Sequence, residues 1–349
     1  MPAPLVSICL PNLNTRPFLE ERMETILAQT LPDWELIISD NYSDDGSWEF
    51  FQKFKNDSRI KLSQAPRAGM YANWNECLRR VTGTYCYMAT SDDTMQPDCL
   101  EKLLAPLEQY PQIKLAYSNY EKIDSSGKTV VIQKDWRREF LGDWMDVPSI
   151  RSGKTEFLLH CALNITWVTM TSVLFRHDLL ERTGLFRTDC YSGGDMEFAL
   201  RASLATDIAC VPGKLSGWRT HGEQGTPKFF EWRFMGKVLE MFYAVLADPK
   251  AGIPTEWKSV PQWEKELTAI WELEYEDSFH LDRGYARQQP QKFLQNAWAA
   301  LCQRPMLLAR QAARGFAWPE QFSPDRMVAA KRLFELFHPP WPPKQVSFD

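Results

Sequence analysis

Along the first hundred residues, short apolar runs alternate with stretches of helical spacing. PLVSICLPN is a β-branched run stopped by Pro11 and Asn12, which predicts a buried strand. FLEERMETILAQTL then places Phe18, Met23, Ile26, Leu27 and Leu31 close to helical spacing. WELIISD predicts a second buried strand ending at Asp40, WEFFQKFK a helix, RIKLSQAP a third strand, YANWNECLRRV a helix and TYCYMAT a fourth strand. Strands alternating with helices imply βαβ units, and so an α/β fold with a mostly parallel central sheet flanked by helices. Ligands of such sheets sit beyond the carboxyl ends of the strands. The polar clusters Asn12 to Asn14, Asp40 to Ser47, Arg67 to Gly69 and Asp92 to Asp93 all fall at such ends, so they can converge on one crevice.

Further on, IKLAYSNYEKID predicts a strand, SSGK a turn and TVVIQKDW a strand pairing back. Trp136 to Lys154 reads as an irregular loop, ITWVTMTSVLFR as a strand and DLLERTGLF as a helix. GGDMEFALRASL opens another helix, and IACVPGKLSGWRTHG reads as two strands joined by a turn at Pro212 and Gly213. From about Pro227 the runs FFEWRFMGKVLEMFYAVL, WEKELTAIWELEYEDSF, FLQNAWAALCQ and MVAAKRLFELF predict an all-helical region, closed by an extended HPPWPPK. The expected division is an α/β domain over 1–225 and a helical C-terminal extension over 226–349. A chain of 349 residues exceeds the roughly 250–300 at which a single core stops growing.

A net charge of −5 and a pI near 5.7 argue against nucleic acid as a partner, which needs a basic face. The eight cysteines contain no CxxC pair and several lie inside apolar runs, where a thiol behaves as a small hydrophobe. No apolar run approaches the roughly 18–20 residues that span a bilayer, and no secretory pattern opens the chain. The expectation is a cytoplasmic protein without a transmembrane segment, at most peripheral at the inner membrane face. The Trp-rich C-terminal helices suit an acceptor cradle, a membrane surface or a homodimer face, and most simply a core of their own.

The chemistry concentrates on acids. Asp92 and Asp93 follow a buried run, and adjacent like charges oppose joint ionisation unless something compensates them. A divalent cation is one compensation: carboxylate oxygens suit Mg²⁺ or Mn²⁺, held by one or two protein groups and completed by substrate phosphates. A turn and helix cap ahead of Pro97 is the plainer alternative. Asp40 could accept a hydrogen bond from a base N–H or a ribose hydroxyl. Trp74 and Trp167 could stack on a sugar face, although a Trp at such spacing is more often core. His160 and His177 read as structural.

PLVSICLPNLN, QTLPDWELIISDNYSDDGS, the Gly69 to Asn75 segment, GTYCYMATSDD with the following Pro97 and Asp98, and GGDMEFALR occur in this order within residues 4–222. Together they resemble the motif set of family 2 glycosyltransferases of the GT-A fold. The resemblance implies inverting, Mn²⁺- or Mg²⁺-dependent transfer from a nucleotide-diphosphate sugar, with UDP as the first choice. The acceptor hydroxyl would sit on a glycan, lipid-linked or protein acceptor, in cell-surface polysaccharide or lipopolysaccharide assembly.

Residue by residue, the resemblance puts Pro11 and Asn14 at the nucleobase and Asp40 on uracil or thymine. Arg67 and Gly69 fall near ribose and pyrophosphate, Asp92 faces the ribose or sugar, and Asp93 ligates the metal. Asp195 is the catalytic base, whose plain alternative is a helix N-cap. His221 is a further metal ligand, and Arg219 meets the diphosphate. Glu197 is an acceptor-side acid or merely a first-turn charge favoured by the helix dipole. Asn41, Tyr42, Thr90 and Gly194 depart from the family pattern. Two rivals stand beside this reading. A sugar nucleotidyltransferase would need a glycine- and lysine-rich triphosphate loop, which PNLNTRPF lacks. A degenerate binding or scaffolding subunit is kept open by Thr90 and Gly194.

Overall fold

The computed structural model describes residues 3–348 apart from 133–134, 164–166, 168, 191–192, 223–231, 282 and 314–325. Its strands are β1 (Val6–Asn12), β2 (Trp34–Asp40), β3 (Ile60–Gln64), β4 (Tyr85–Met88), β5 (Thr94–Met95), β6 (Leu115–Ile123), β7 (Ser149–Arg151), β8 (Val173–Arg176), β9 (Ile208–Arg219) and β10 (Lys344–Gln345). The α-helices in the first part are α1 (Leu19–Leu27), α2 (Ser47–Phe51), α3 (Met70–Leu78), α4 (Cys99–Gln109), α5 (Trp136–Leu141), α6 (Gly153–Leu163), α7 (Leu179–Thr183) and α8 (Gly194–Ala205). Then come α9 (Trp232–Ala247), α10 (Trp263–Asp277), α11 (Arg283–Gln288), α12 (Pro290–Gln303), α13 (Pro305–Ala313) and α14 (Arg326–Phe337).

The sheet runs in the order β10, β7, β9, β6, β8, β4, β1, β2, β3, with β5 added against β9. β4, β1, β2 and β3 are mutually parallel, and β8 enters antiparallel between β4 and β6. Both faces of β1 are buried, which is why its sequence is apolar without alternation. Val6, Ile8 and Leu10 pack with Leu19, Met23 and Leu103 on one side, whereas Cys9 packs with Tyr71, Trp74 and Cys77 on the other. The chain passes from β1 outward to β3 and then crosses to β4 on the opposite side of β1. That reversal opens a crevice at the carboxyl ends of β1 and β4.

β9 differs from expectation. Pro212 and Gly213 do not turn a hairpin; they sit in one continuous strand whose pairing with β6 slips in register opposite Ser118–Tyr120. Gly213 takes φ 95° there, as a bulge in a strand permits. Keeping β9 continuous carries Arg219 to the crevice, and β5 pairs across its end, Thr94 opposite Gly217. A Cβ on Gly217 would lie 2.3 Å from the Thr94 hydroxyl, so glycine is what lets the loop after β4 close on β9.

Three other segments also depart from the sequence reading. TVVIQKDW makes only an isolated bridge, Ile123 to Thr129, among its described residues. Trp136–Lys154 is not irregular, because it holds α5, β7 and the start of α6. In ITWVTMTSVLFR the described residues form a strand only from Val173, and 165, 166 and 168 lie outside the described residues. The C-terminal helices are as expected, and they share one core with α6 and α8: Phe157, Leu158 and Leu200 pack with Val238, Phe242, Trp271 and Leu333. β10 pairs antiparallel with β7, tying the last residues to the sheet. Among the described residues, no helix is long and apolar enough to cross a membrane.

Candidate active site

β1 and β2 end side by side, Asn12 opposite Asp40. Asp40 is fully buried and accepts from Asn12 Nδ2 at 2.7 Å, from the Ser43 amide at 2.9 Å and from Ser43 Oγ at 2.6 Å. These donors offset the desolvation of a carboxylate placed there by a strand end. Asn73, from α3, donates to the carbonyls of Asn12 and Ser39 at 3.3 and 3.0 Å, locking α3 against the same two strands. Asn14, at φ 54°, exchanges hydrogen bonds with Asp44 at 2.8 and 3.0 Å. Arg67 donates to the carbonyls of Asn41 and Tyr42 at 2.9 and 2.5 Å and pairs with Asp44 at 3.1 Å.

Asp40, expected at the base, uses its oxygens on the loops after β1 and β2, and Arg67, expected near ribose and pyrophosphate, braces the 41–44 loop with a side chain that is still 45% exposed. Pro11 is buried within β1. What this edge does present is Leu13, Asn14 and Tyr42, all exposed. Beside them stands Gly69, with φ 104° and nothing within 4 Å of its absent Cβ, heading the N-terminus of α3. Backbone amides at such an opening suit an anionic diphosphate.

The two adjacent acids point in different directions. Asp93 is buried; Thr90 Oγ1 and Thr169 Oγ1 (3.1 Å) donate to one oxygen, and the Arg219 amide donates to the other at 2.8 Å. Burial, with the neighbouring Asp92 charge added to it, pushes its carboxyl up to about 7. Asp92 keeps a side chain 20% exposed, and its Oδ2 lies 3.1 Å from His221 Nε2. Asp93, expected at the metal, has its oxygens closing the loop onto β9, and Asp92 is the acid that stands with His221. The imidazole packs on Phe18, centroids 4.8 Å apart.

Arg219, expected at the diphosphate, is buried and donates to protein partners. Its Nε donates to the Asp92 carbonyl at 2.6 Å, Nη1 to the Asp124 carbonyl at 3.0 Å and Nη2 to Glu21 at 2.5 Å, over the Phe18 ring. A buried, forked cation of this kind holds α1, the loop after β4 and the end of β9 in one arrangement. One carboxylate and one imidazole, without a third acid or thiol completing a closed cage among the described residues, is a donor set that fits Mn²⁺ or Mg²⁺. Such ions take few protein ligands and fill the remaining positions from phosphates and water.

Asp195 opens α8. Its Oδ1 accepts from the Tyr71 hydroxyl at 3.0 Å and from the Met196 amide at 2.8 Å. Burial pushes its carboxyl above the ordinary range, and the Tyr71 hydrogen bond pulls the other way. Tyr71 also explains Gly194, since a Cβ there would lie 2.7 Å from the tyrosine ring. The acid usual at that position is excluded by the residue that now orients Asp195. Tyr71→Phe is expected to raise the Asp195 carboxyl further, because it deletes the side-chain hydrogen bond that, among the described residues, holds it down. The acidic limb of a kcat/KM profile should then move to higher pH, and an unmoved limb would deny Asp195 the part of base.

Glu197 does not face an acceptor: it is buried and ion-paired with Arg201 one turn on. Trp167 is not a sugar platform either, being fully buried against Tyr117 and His160. Tyr71, Phe18 and Thr169 escaped the sequence reading. Tyr71 alone left a signal, as a hydroxyl-bearing aromatic on the first turn after the crevice glycine.

Comparison with known proteins follows the same lines. Residues 7–181, half of the chain, match the family described as Glycosyl transferase family 2. The uncharacterised glycosyltransferase EpsJ of Bacillus subtilis is 29% identical over 202 residues, covering 57% of this chain and 56% of EpsJ, so the chain spans little more than half that relative's length. The fold is that of S. aureus TarS 1–349 in complex with UDP-GlcNAc, with a TM-score of 0.61 and 12% identity over 95% of this chain and 91% of that one. It is also that of the Pyrobaculum calidifontis mannosyltransferase PcManGT in complex with GDP-Man and Mn²⁺, with a TM-score of 0.55 and 18% identity over 95% and 87% of the two chains. With the GT-A sheet in place and half its residues matched, the chain belongs to glycosyl transferase family 2.

Proposed function

We propose that the chain transfers a sugar from a nucleotide-diphosphate donor, UDP-linked in the first instance, to an acceptor hydroxyl with inversion at the anomeric carbon. The observation that carries this reading is Asp195, a carboxylate of raised proton affinity held by Tyr71 on the first turn of the helix that follows β3, with Asp92 and His221 paired in the segments that follow β4 and β9. Asp195 would take the proton of the acceptor hydroxyl while its oxygen bonds to the anomeric carbon and the bond to the diphosphate breaks, the electron pair leaving with the nucleotide. One displacement inverts the centre. Asp92 and His221 would hold Mn²⁺ or Mg²⁺, which supplies charge neutralisation for the departing diphosphate. Gly69 and the α3 N-terminus receive its oxygens through backbone amides.

Thr90 and Gly194 weigh against a degenerate scaffold, because each replacement has a partner: Thr90 donates to Asp93, and Gly194 makes room for Tyr71. The complexes of TarS and PcManGT support a nucleotide-sugar donor and leave UDP and GDP as the two nucleotides to compare. The acceptor class and a place in cell-surface polysaccharide assembly remain part of the proposal. The test is a thermal-shift and nucleotide-release assay with UDP-GlcNAc, UDP-glucose and GDP-mannose, in Mn²⁺ or in EDTA. One donor should stabilise the chain, by about 2.7 kcal/mol at a hundredfold excess over its Kd, and release nucleotide only with Mn²⁺. Failure of every donor to do either would overturn the reading.

A further inference from the structure

The stretch Arg283 to Ala313, which forms α11, α12 and α13, carries five basic residues (Arg283, Arg287, Lys292, Arg304, Arg310) and no acidic one, in a chain of net charge −5. Its outer face is not the polar face expected of a surface helix. Leu294, Trp298 and Leu301 recur at i, i+4 and i+7 on α12 and are 67%, 69% and 47% exposed, and Met306, at 72%, adds a further exposed apolar residue at the start of α13. The inward side of α12 is already used: Ala300 is buried, and Phe293 and Ala297 pack on the C-terminal core. Its end is anchored to α10 by Tyr275 donating to Gln303 at 2.6 Å and by Arg304 pairing with Glu272 at 2.9 Å. The exposed stripe thus extends the apolar side of α12 into solvent, and Arg287 and Lys292, in the same basic stretch, are exposed as well.

We infer that the outward face of α12 and α13 docks the chain onto an anionic lipid bilayer. Apolar side chains that include a tryptophan, on a stretch whose formal charges are all positive, are what a helix lying in the interfacial plane requires. The 14 residues of α12 reach only about 21 Å at 1.5 Å per residue, so it lies along the surface and does not span it. Charge separates this occupant from the others. A second copy would bring together two stretches whose formal charges are all positive, and a nucleic acid would leave the leucines and tryptophan unused. An anionic leaflet meets both the charge and the apolar stripe.

The experiment is flotation of the full chain with vesicles of phosphatidylcholine alone or mixed two to one with phosphatidylglycerol. Its readout does not depend on sugar transfer. The wild type should float with the phosphatidylglycerol vesicles and less so in high salt. Arg287→Glu with Lys292→Glu should weaken binding by about fivefold or more per residue. Leu294→Ser, Trp298→Ser and Leu301→Ser together should abolish it at every salt concentration without lowering Tm, since all three positions are exposed. A wild type that stays with the soluble fraction, or a triple variant that floats equally well, would overturn the inference. So would light scattering showing a dimer that the triple variant splits while neither protein binds vesicles, which would make the face a contact between copies.

Discussion

Asp195→Asn is expected to lower sugar transfer by about 10²- to 10⁴-fold, the contribution of a positioned general base, while leaving donor and Mn²⁺ binding near wild type. The substitution is nearly isosteric, and the two groups that donate to Oδ1, Tyr71 and the Met196 amide, can still be met by the amide oxygen. α8 therefore keeps its first turn, and what disappears is the ability to take a proton. The measurement is paired: single-turnover transfer, and a thermal shift with donor and Mn²⁺. Intact binding with lost turnover supports the assignment. Near-normal turnover would end it, and loss of both would mean that Asp195 shapes the pocket rather than the reaction. The base works in its ionised form, and burial raises its carboxyl, so wild-type activity should fall on acidification at a pH above the ordinary aspartate range. Tyr71→Phe should move that fall further toward neutrality.

The strands at the crevice were readable because each is an apolar run ended by a residue with turn chemistry: Pro11 and Asn12, Asp40, Gln64 before Pro66, and Thr90 before the two acids. β9 was not, because Pro212 with Gly213 carries the local signal of a hairpin. Only the pairing with β6, set by residues some ninety positions away, makes it a bulge. The same non-locality explains the site. Asp92 and Asp93 are chemically identical neighbours, and which one turns inward is decided by the amide of Arg219 and the hydroxyl of Thr169. Arg219 looked like a phosphate ligand because a strand-end arginine beside a histidine has that appearance. Its burial against Glu21 and Phe18 follows from how α1 packs, which no spacing reveals. Asp195, by contrast, is proposed from its motif, and Tyr71, which orients it, comes from another helix.

The reversal of the acidic pair leads to the second large effect. Asp92→Asn should weaken Mn²⁺ binding by at least about 100-fold, since replacing even an outer partner of a metal ligand costs 10- to 100-fold, and the donor-dependent thermal shift should go with it. Asp93→Asn should retain both. Its amide oxygen can accept from the Arg219 amide, its NH₂ can donate to the hydroxyls of Thr90 and Thr169, and hydroxyls serve either way. Its effect belongs to stability and follows from linkage. Because the folded Asp93 holds its proton up to about 7 whereas the unfolded chain releases it near 3.9, the group's contribution is fully present below the unfolded value and is lost as pH rises through 7. Without a divalent ion, the wild-type Tm should therefore fall between about pH 4 and pH 7 more steeply than that of Asp93→Asn. Mn²⁺ should flatten the wild-type curve by neutralising Asp92, whose charge is the second cause of the Asp93 shift. Were Asp93 the ligand, the two variants would exchange behaviours: Asp93→Asn would forfeit Mn²⁺, and Asp92→Asn would keep it.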